Sequence, residues 1–256
     1  MRHDGRENDH LRPLKITRSY LKFPEGSALI ELGDTRVICT ATIEDKIPAF
    51  LKGMEQGWVS AEYAMLPRST FVRSSRERSG ASGRSMEIQR LIGRSLRAVI
   101  DLKALGERTI WIDCDVLQAD GGTRTAAISG AFVALAEAIY HLQDSDKIDQ
   151  FPLYDYLSAV SVGMVNGGIL LDLAYIEDAV AEVDMNLVMT ADGKLIEIQG
   201  SAEDQPFNRI QLDQMIDLAS KGVKTITAVQ KHVLGSVITG LIDKSRISFS
   251  QKNLEE

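Results

Sequence analysis

The stretch Asp113-Cys-Asp-Val-Leu-Gln-Ala-Asp-Gly-Gly-Thr-Arg-Thr-Ala-Ala-Ile-Ser-Gly-Ala-Phe132 decides how this chain is read. A strand-like run, Thr109 to Leu117, leads into a turn on Asp120, Gly121 and Gly122. A helix then starts, with Thr123, Arg124 and Thr125 in its first turn. Ile128, Phe132, Leu135, Ile139 and Leu142 recur at helical spacing, which predicts one apolar face. Glycines let the backbone take positive φ and approach a ligand closely. The first N–H groups of a helix lack internal partners and carry the positive end of its dipole, so the junction suits an anion, phosphate above all. Arg124 adds a planar fork of donors that matches phosphate. No Lys-Ser/Thr pair follows the glycines, which excludes a Walker-type loop. A capped turn beside an exposed arginine would show the same residues, so the anion needs support from elsewhere in the chain.

The composition (256 residues, 44% hydrophobic, 25% charged) is that of a globular protein of one large or two small domains. We expect a single domain over residues 1–241 and a polar, frayed tail over 242–256. No apolar run approaches the length of a membrane span, and the N-terminus has no apolar core of a signal peptide, so no membrane partner is expected. Cys39 and Cys114 sit in strand-like apolar runs and read as core thiols in a reducing cytoplasm. The net charge of −7 argues against coating nucleic acid by bulk charge.

The charge is unevenly spread. Residues 1–18 read as an extended arm with five basic residues. Arg68 to Arg84 holds five arginines and one acid, Glu77, among serines and glycines, and reads as a mobile basic loop suited to a phosphate-rich partner. A helix is expected from about Met86 to Ala104, with Arg90, Arg94 and Arg97 on one face and Arg84 just before its start. Hairpins are expected at Gly33-Asp34-Thr35, Asn166-Gly167-Gly168 and Ala191-Asp192-Gly193, with strands over Ser27–Leu32, Arg36–Ile43, Leu157–Val165, Gly168–Tyr175, Asp184–Thr190 and Lys194–Gln199. Trp58 to Leu66 reads as a further strand, and two helices, Arg209–Lys221 stopped by Gly222 and Thr225–Leu241, close the chain. Between two late strands, Glu177, Asp178, Glu182 and Asp184 lie within eight positions. Magnesium takes one or two carboxylates plus phosphate oxygens, and Asp178 and Asp184 meet at one ion if the segment loops, with Glu177 and Glu182 as bystanders. An anion cradle, a basic loop and paired acids together suit phosphoryl or nucleotidyl transfer.

Longer words then match a known family. Asp4-Gly5-Arg6, Leu11-Arg12-Pro13, Leu51-Lys52-Gly53, Ala61-Glu62-Tyr63-Ala64-Met65-Leu66-Pro67-Arg68, Glu87 to Arg94, Cys114 to Thr125, Val183-Asp184-Met185-Asn186 and Ile198 to Glu203 carry the resemblance, which runs to about Leu234. The chain resembles the ribonuclease PH family of phosphate-dependent exoribonucleases. The resemblance implies an α+β fold, a two-layer α/β sandwich of two similar βαβ halves with mixed sheets, assembled as a homo-hexamer, a trimer of dimers. It implies trimming of tRNA precursors with 3′ extensions, releasing nucleoside diphosphates, with inorganic phosphate as co-substrate and Mg2+ as cofactor. On this chain it places phosphate on Arg84, Gly122, Thr123 and Arg124. It places the metal on Asp178 and Asp184, makes Asp178, Asp184 and Arg124 catalytic with Asp184 the preferred proton carrier, and puts RNA on Arg68, Arg73, Arg76 and Arg90. Arg73, Arg76 and Arg78 are the weakest of these carry-overs, because the loop varies in the family. An inactive RNA-binding ring subunit and a metal-dependent hydrolytic ribonuclease are the rivals. The first has no need to keep Arg84, Arg124, Asp178 and Asp184; the second has no need of a phosphate cradle.

Overall fold

The structure is a computed structural model, and the described residues are 2–76, 82–203 and 205–255. In chain order the strands and helices are β1 (Leu14–Arg18), β2 (Gly26–Leu32), β3 (Thr35–Glu44), β4 (Trp58–Met65), α1 (Gly83–Arg97), α2 (Leu102–Leu105), β5 (Thr109–Gln118), α3 (Thr123–Asp144), β6 (Leu157–Val165), β7 (Gly168–Leu171), α4 (Tyr175–Asp178), β8 (Val183–Thr190), β9 (Leu195–Ala202) and α5 (Arg209–Glu255). A short 3-10 turn, Ala49–Leu51, interrupts the loop between β3 and β4. The first sheet has the order β1-β2-β3-β5-β4 and is mixed, because α1 crosses from β4 to a parallel β5 while the other pairs are antiparallel. The second, β7-β6-β8-β9, is wholly antiparallel. This is the expected α+β architecture, with the mixed character confined to the first half.

Helix α3 lies against β2, β3 and β5 and also touches β6. Only one face of this helix was expected to be apolar. Instead it is buried nearly all round, from Thr125 through Ala136, because sheets lie on both sides of it. By length and composition it is long and apolar enough to cross a membrane, which the sequence reading did not anticipate; here protein covers it. One core cluster joins α3 to residues of both sheets, among them Ile30, Val116, Leu157 and Val188.

Five expectations are corrected. The N-terminal arm is tied into the fold: β1 pairs with β2, and Arg2 and Arg12 are buried. The helix expected over 86–104 starts at Gly83 and ends at Arg97; Asp101 caps a separate turn, α2. The strand after Gly168 stops at Leu171, and Asp172 takes φ 55 before α4. Gly222 does not stop a helix. It lies inside α5, where a Cβ would meet Leu171 at 2.9 Å, and the break falls at Gly235 (φ 74, ψ 171). The segment read as a frayed tail continues α5, with Ile242 buried, Phe249 stacked on Tyr154 at 3.7 Å and Arg246 paired with Asp192. Cys39 and Cys114 are buried as expected and face each other across β3 and β5, sulfurs 3.7 Å apart. Hydrogen bonding to Cys39, then burial, pushes the Cys114 thiol well up and keeps it protonated.

Candidate active site

The junction between β5 and α3 forms one wall of a cavity of about 380 Å³. Gly121 and Gly122 take φ of 76° and 65°, and a Cβ on Gly121 would meet the Leu173 carbonyl at 2.5 Å. The turn is therefore pressed backbone to backbone against the segment that leads into α4, and only glycine fits. Thr123, Arg124 and Arg84 line the same cavity, and so do Asp178 and Asp184. Sheet register explains the last placement: Asp184 sits near the start of β8, between Gly163 on β6 and Ser201 on β9. Every residue expected to hold phosphate or metal thus faces one space, although Arg84 comes from inside the first turn of α1 and not from before it.

The two acids differ electrostatically from free carboxyls. Burial raises the Asp178 carboxyl above the usual range, against the pull of Arg124 and Arg84. Burial and then the Asp178 charge raise Asp184 as well. Neither carboxylate has an ion pair among the described residues. Asn186 Nδ2 donates to Asp184 at 3.4 Å. No group of three or more metal-ligating side chains occurs among the described residues, and Asp178 and Asp184 are the two carboxylates that line the cavity. Two uncompensated carboxylates beside an anion cradle are what a magnesium ion with open positions for phosphate oxygens requires.

Sequence reasoning missed the residues that hold these groups in place. Buried Tyr63 donates to Thr123 Oγ1 at 2.8 Å. Arg124 Nη1 donates to Gln199 Oε1 at 2.8 Å, and Gln199 donates on to Glu87 at 2.6 Å. Arg12 is the largest omission. It donates to both carboxylate oxygens of Asp172, at 3.0 and 2.7 Å, and to the carbonyls of Asp120 and Gly121. One guanidinium thus ties the phosphate turn to the strand end before α4. Glu177, read as a bystander, is buried, accepts from Arg2 at 2.8 and 2.6 Å and from the Ala174 N–H at 3.0 Å, and so fixes the helix that carries Asp178. Although burial opposes it, these bonds hold the Glu177 carboxyl below the usual range. Tyr63, Arg12, Asn186 and Gln199 all stand in the matched words, but no pattern in one sequence gives their partners.

The residues expected on RNA do not enter the cavity. Arg68, Arg73 and Arg76 are exposed on the loop after β4, whose Thr70 reaches the rim; Glu77 and Arg78 lie outside the described residues. Arg90 lines a second depression of about 390 Å³ across α1, with Arg94 and Arg97. The shared arginine face is partly used by the fold: Arg94 pairs with Glu197, and Arg97 donates to the Val59 carbonyl at 2.7 Å and lies 4.2 Å over the Trp58 ring.

With this geometry in place, comparison with known proteins is direct. Residues 10–139 match the family model described as 3′ exoribonuclease family, domain 1, and residues 155–222 match domain 2 of that family. A ribonuclease PH from Moorella thermoacetica is 58% identical over 239 residues, 93% of this chain and 96% of that protein. The chain belongs to the ribonuclease PH family. A ribonuclease PH from Bacillus cereus is 55% identical over 242 residues, with 93% of this chain and 99% of that protein covered. Among solved structures, rice Rrp46 superposes with a TM-score of 0.75 at 19% identity, covering 91% of this chain and all of that one. A chain of the Archaeoglobus fulgidus exosome with RNA bound to the active site gives 0.75 at 21% identity, covering 90% and 92%. At such identities these structures speak for the fold. As a member of this family the chain is a phosphorolytic 3′-to-5′ exoribonuclease that processes tRNA, which favours neither the inactive-subunit nor the hydrolytic reading.

Proposed function

We propose that this cavity is where inorganic phosphate cleaves the last linkage of an RNA 3′ end. The observation that carries the assignment is that the glycine turn, Arg84 and Arg124 line one cavity together with Asp178 and Asp184. Phosphate sits on the backbone N–H groups of the α3 N-terminus, with Arg124 and Arg84 orienting it. One of its oxygens attacks the terminal phosphodiester, the bond to the 3′ oxygen breaks, and a nucleoside diphosphate leaves. Asp184 carries the proton to the departing 3′ oxygen. Bound between Asp178 and Asp184, magnesium would supply charge neutralisation at the scissile phosphate. Since phosphate is itself the nucleophile, His3, His10, His141 and His232 are not needed as bases. The reverse reaction adds nucleotides from diphosphates.

The substrates of the proposal are tRNA precursors with 3′ extensions, and Arg68, Arg73, Arg76 and Arg90 guide the strand. Likeness in fold to a chain of an archaeal exosome core (TM-score 0.71, 20% identity) supports a homo-hexamer, a trimer of dimers. The two free, buried thiols support a cytoplasmic home. The test is a tRNA carrying a short 3′ extension, incubated with and without inorganic phosphate and with magnesium or chelator. Diphosphate products that require phosphate, and their loss in Arg124→Ala at unchanged RNA binding, support the assignment. Unchanged turnover of Arg124→Ala at saturating phosphate would remove the cradle. Gel filtration reads the assembly against the 28.2 kDa chain mass.

A further inference from the structure

The loop that follows β4 carries an aromatic ring to the rim of the cavity. Its base is fixed: Ser69 is buried, its N–H donates to the Leu66 carbonyl at 2.9 Å, and its own carbonyl accepts from the Ala119 N–H at 2.8 Å. Ala119 immediately precedes the phosphate turn. Within the loop, the Ser74 N–H reaches the Pro67 carbonyl at 2.9 Å, Arg68 Nη1 the Phe71 carbonyl at 2.9 Å, and Thr70 Oγ1 the Val72 carbonyl at 2.7 Å. Thr70 lines the cavity, and the next two residues turn outward: Phe71 is 95% exposed and Val72 73%. Single exposed apolar residues are ordinary on a protein surface. A fully presented phenyl ring on a self-bonded loop, beside a site for RNA ends and between Arg68, Arg73 and Arg76, is not placed as filler.

We propose that Phe71 is a stacking platform for an unpaired base of the RNA strand entering the cavity, with the flanking arginines on its phosphates. Charge chooses this occupant: a strand with one phosphate per base matches a ring set among cations, in a chain that is otherwise acidic. Every base has a π-face, so the contact is indifferent to sequence. Only an unstacked base offers that face, so the contact favours a single-stranded 3′ extension over a duplex end. The inference rests on the cavity being the site of phosphorolysis.

Three variants test it: Phe71→Ala, Phe71→Leu and Phe71→Trp. All three alter an exposed side chain and should melt like the parent. Phe71→Ala should raise KM for a single-stranded 3′ extension about five- to hundredfold, as base–aromatic stacking does elsewhere, while KM for phosphate and kcat at saturating RNA stay put. Phe71→Trp should restore KM, and its added fluorescence should be quenched by single-stranded RNA but not by a blunt duplex. Phe71→Leu should remain defective, since it keeps apolar volume without a π-face. An unchanged KM in Phe71→Ala, or full activity in Phe71→Leu, overturns the stacking. So does a shift of the Phe71→Ala variant to a smaller assembly in sedimentation, which would show that a second copy of the chain covers the ring. A parent enzyme that shortens RNA without phosphate would instead defeat the reading of the cavity itself.

Discussion

Replacing Arg12 with methionine tests whether one buried guanidinium organises the site. The Arg12 side chain is 4% exposed and its partner Asp172 1%. Burial works against the charge on Arg12, yet the hydrogen bonds and charge of Asp172 hold its pKa above the usual value. Met keeps much of the length and removes five side-chain contacts: two to Asp172, two to Asp120 (its carbonyl and, at 3.5 Å, its carboxylate) and one to the Gly121 carbonyl. The Asp172 carboxylate then stays buried with only the Arg12 backbone N–H at 2.8 Å and Arg6 at 3.3 Å. Breaking a buried pair by removing one partner costs about 3–5 kcal/mol. The residual contacts to Arg6 and the backbone point to the lower end. For a chain of this size that lowers Tm by about 6–20 °C, measured at fixed protein concentration because an assembly makes Tm concentration-dependent. Adding Asp172→Asn to Arg12→Met should recover part of the loss, since a neutral amide costs less to bury than an orphaned carboxylate. KM for phosphate should rise more than KM for RNA, because the turn that seats phosphate has lost its tether. A loss below about 1 kcal/mol, or a double variant no more stable than the single one, would refute the reasoning.

Other outcomes follow from the same structure. Asp178 and Asp184 have raised pKa values in the fold, so their contribution favours folding below the ordinary carboxyl range and is lost as pH rises through their folded values. In chelator at neutral pH, Asp184→Asn should therefore melt above the parent while losing turnover, and the gap should close on acidification; a variant that melts lower at neutral pH contradicts this. Arg73→Ala should weaken RNA binding with a shallower dependence on salt, by about one phosphate contact, read from binding curves at several salt concentrations. An unaltered slope would take Arg73 off the RNA. Arg97→Ala loses the contact over Trp58 and the bond to the Val59 carbonyl, and should destabilise by about 1–2 kcal/mol in urea titration with RNA affinity kept; weaker RNA binding at unchanged stability would place Arg97 on the RNA instead.

How much of this was legible depended on how local the determining physics is. The Gly33-Asp34, Asn166-Gly167 and Asp192-Gly193 hairpins and the start of α3 at Thr123 were readable, because turn chemistry and helix entry are set by adjacent residues. The spacing of Asp178 and Asp184 allowed them to meet if the segment looped, and the family resemblance implied that they do; the register that places Asp184 comes from β8 pairing with β6 and β9, which no spacing reveals. The N-terminal arm was misread because its arginines looked solvated, while their acids lie more than 150 positions away. Gly222 looked like a helix stop because small size and helix termination leave the same letter; here it serves close packing on Leu171. Arg97 looked like one of an exposed stripe, since nothing in the sequence places Trp58 beneath it.

The clasp between residues 2–12 and the acids Asp172 and Glu177 also bears on synthesis. Arg2 and Glu177 are 175 positions apart. At translation rates of about 5–20 residues per second, roughly 10–35 s separate the synthesis of Arg2 from that of Glu177. Until then the phosphate turn lacks its tether and Asp178 does not yet exist. Closing this part of the fold therefore waits on late synthesis: the segment around Arg2 and Arg12 is tied down only once residues about 160 and more positions later have been made.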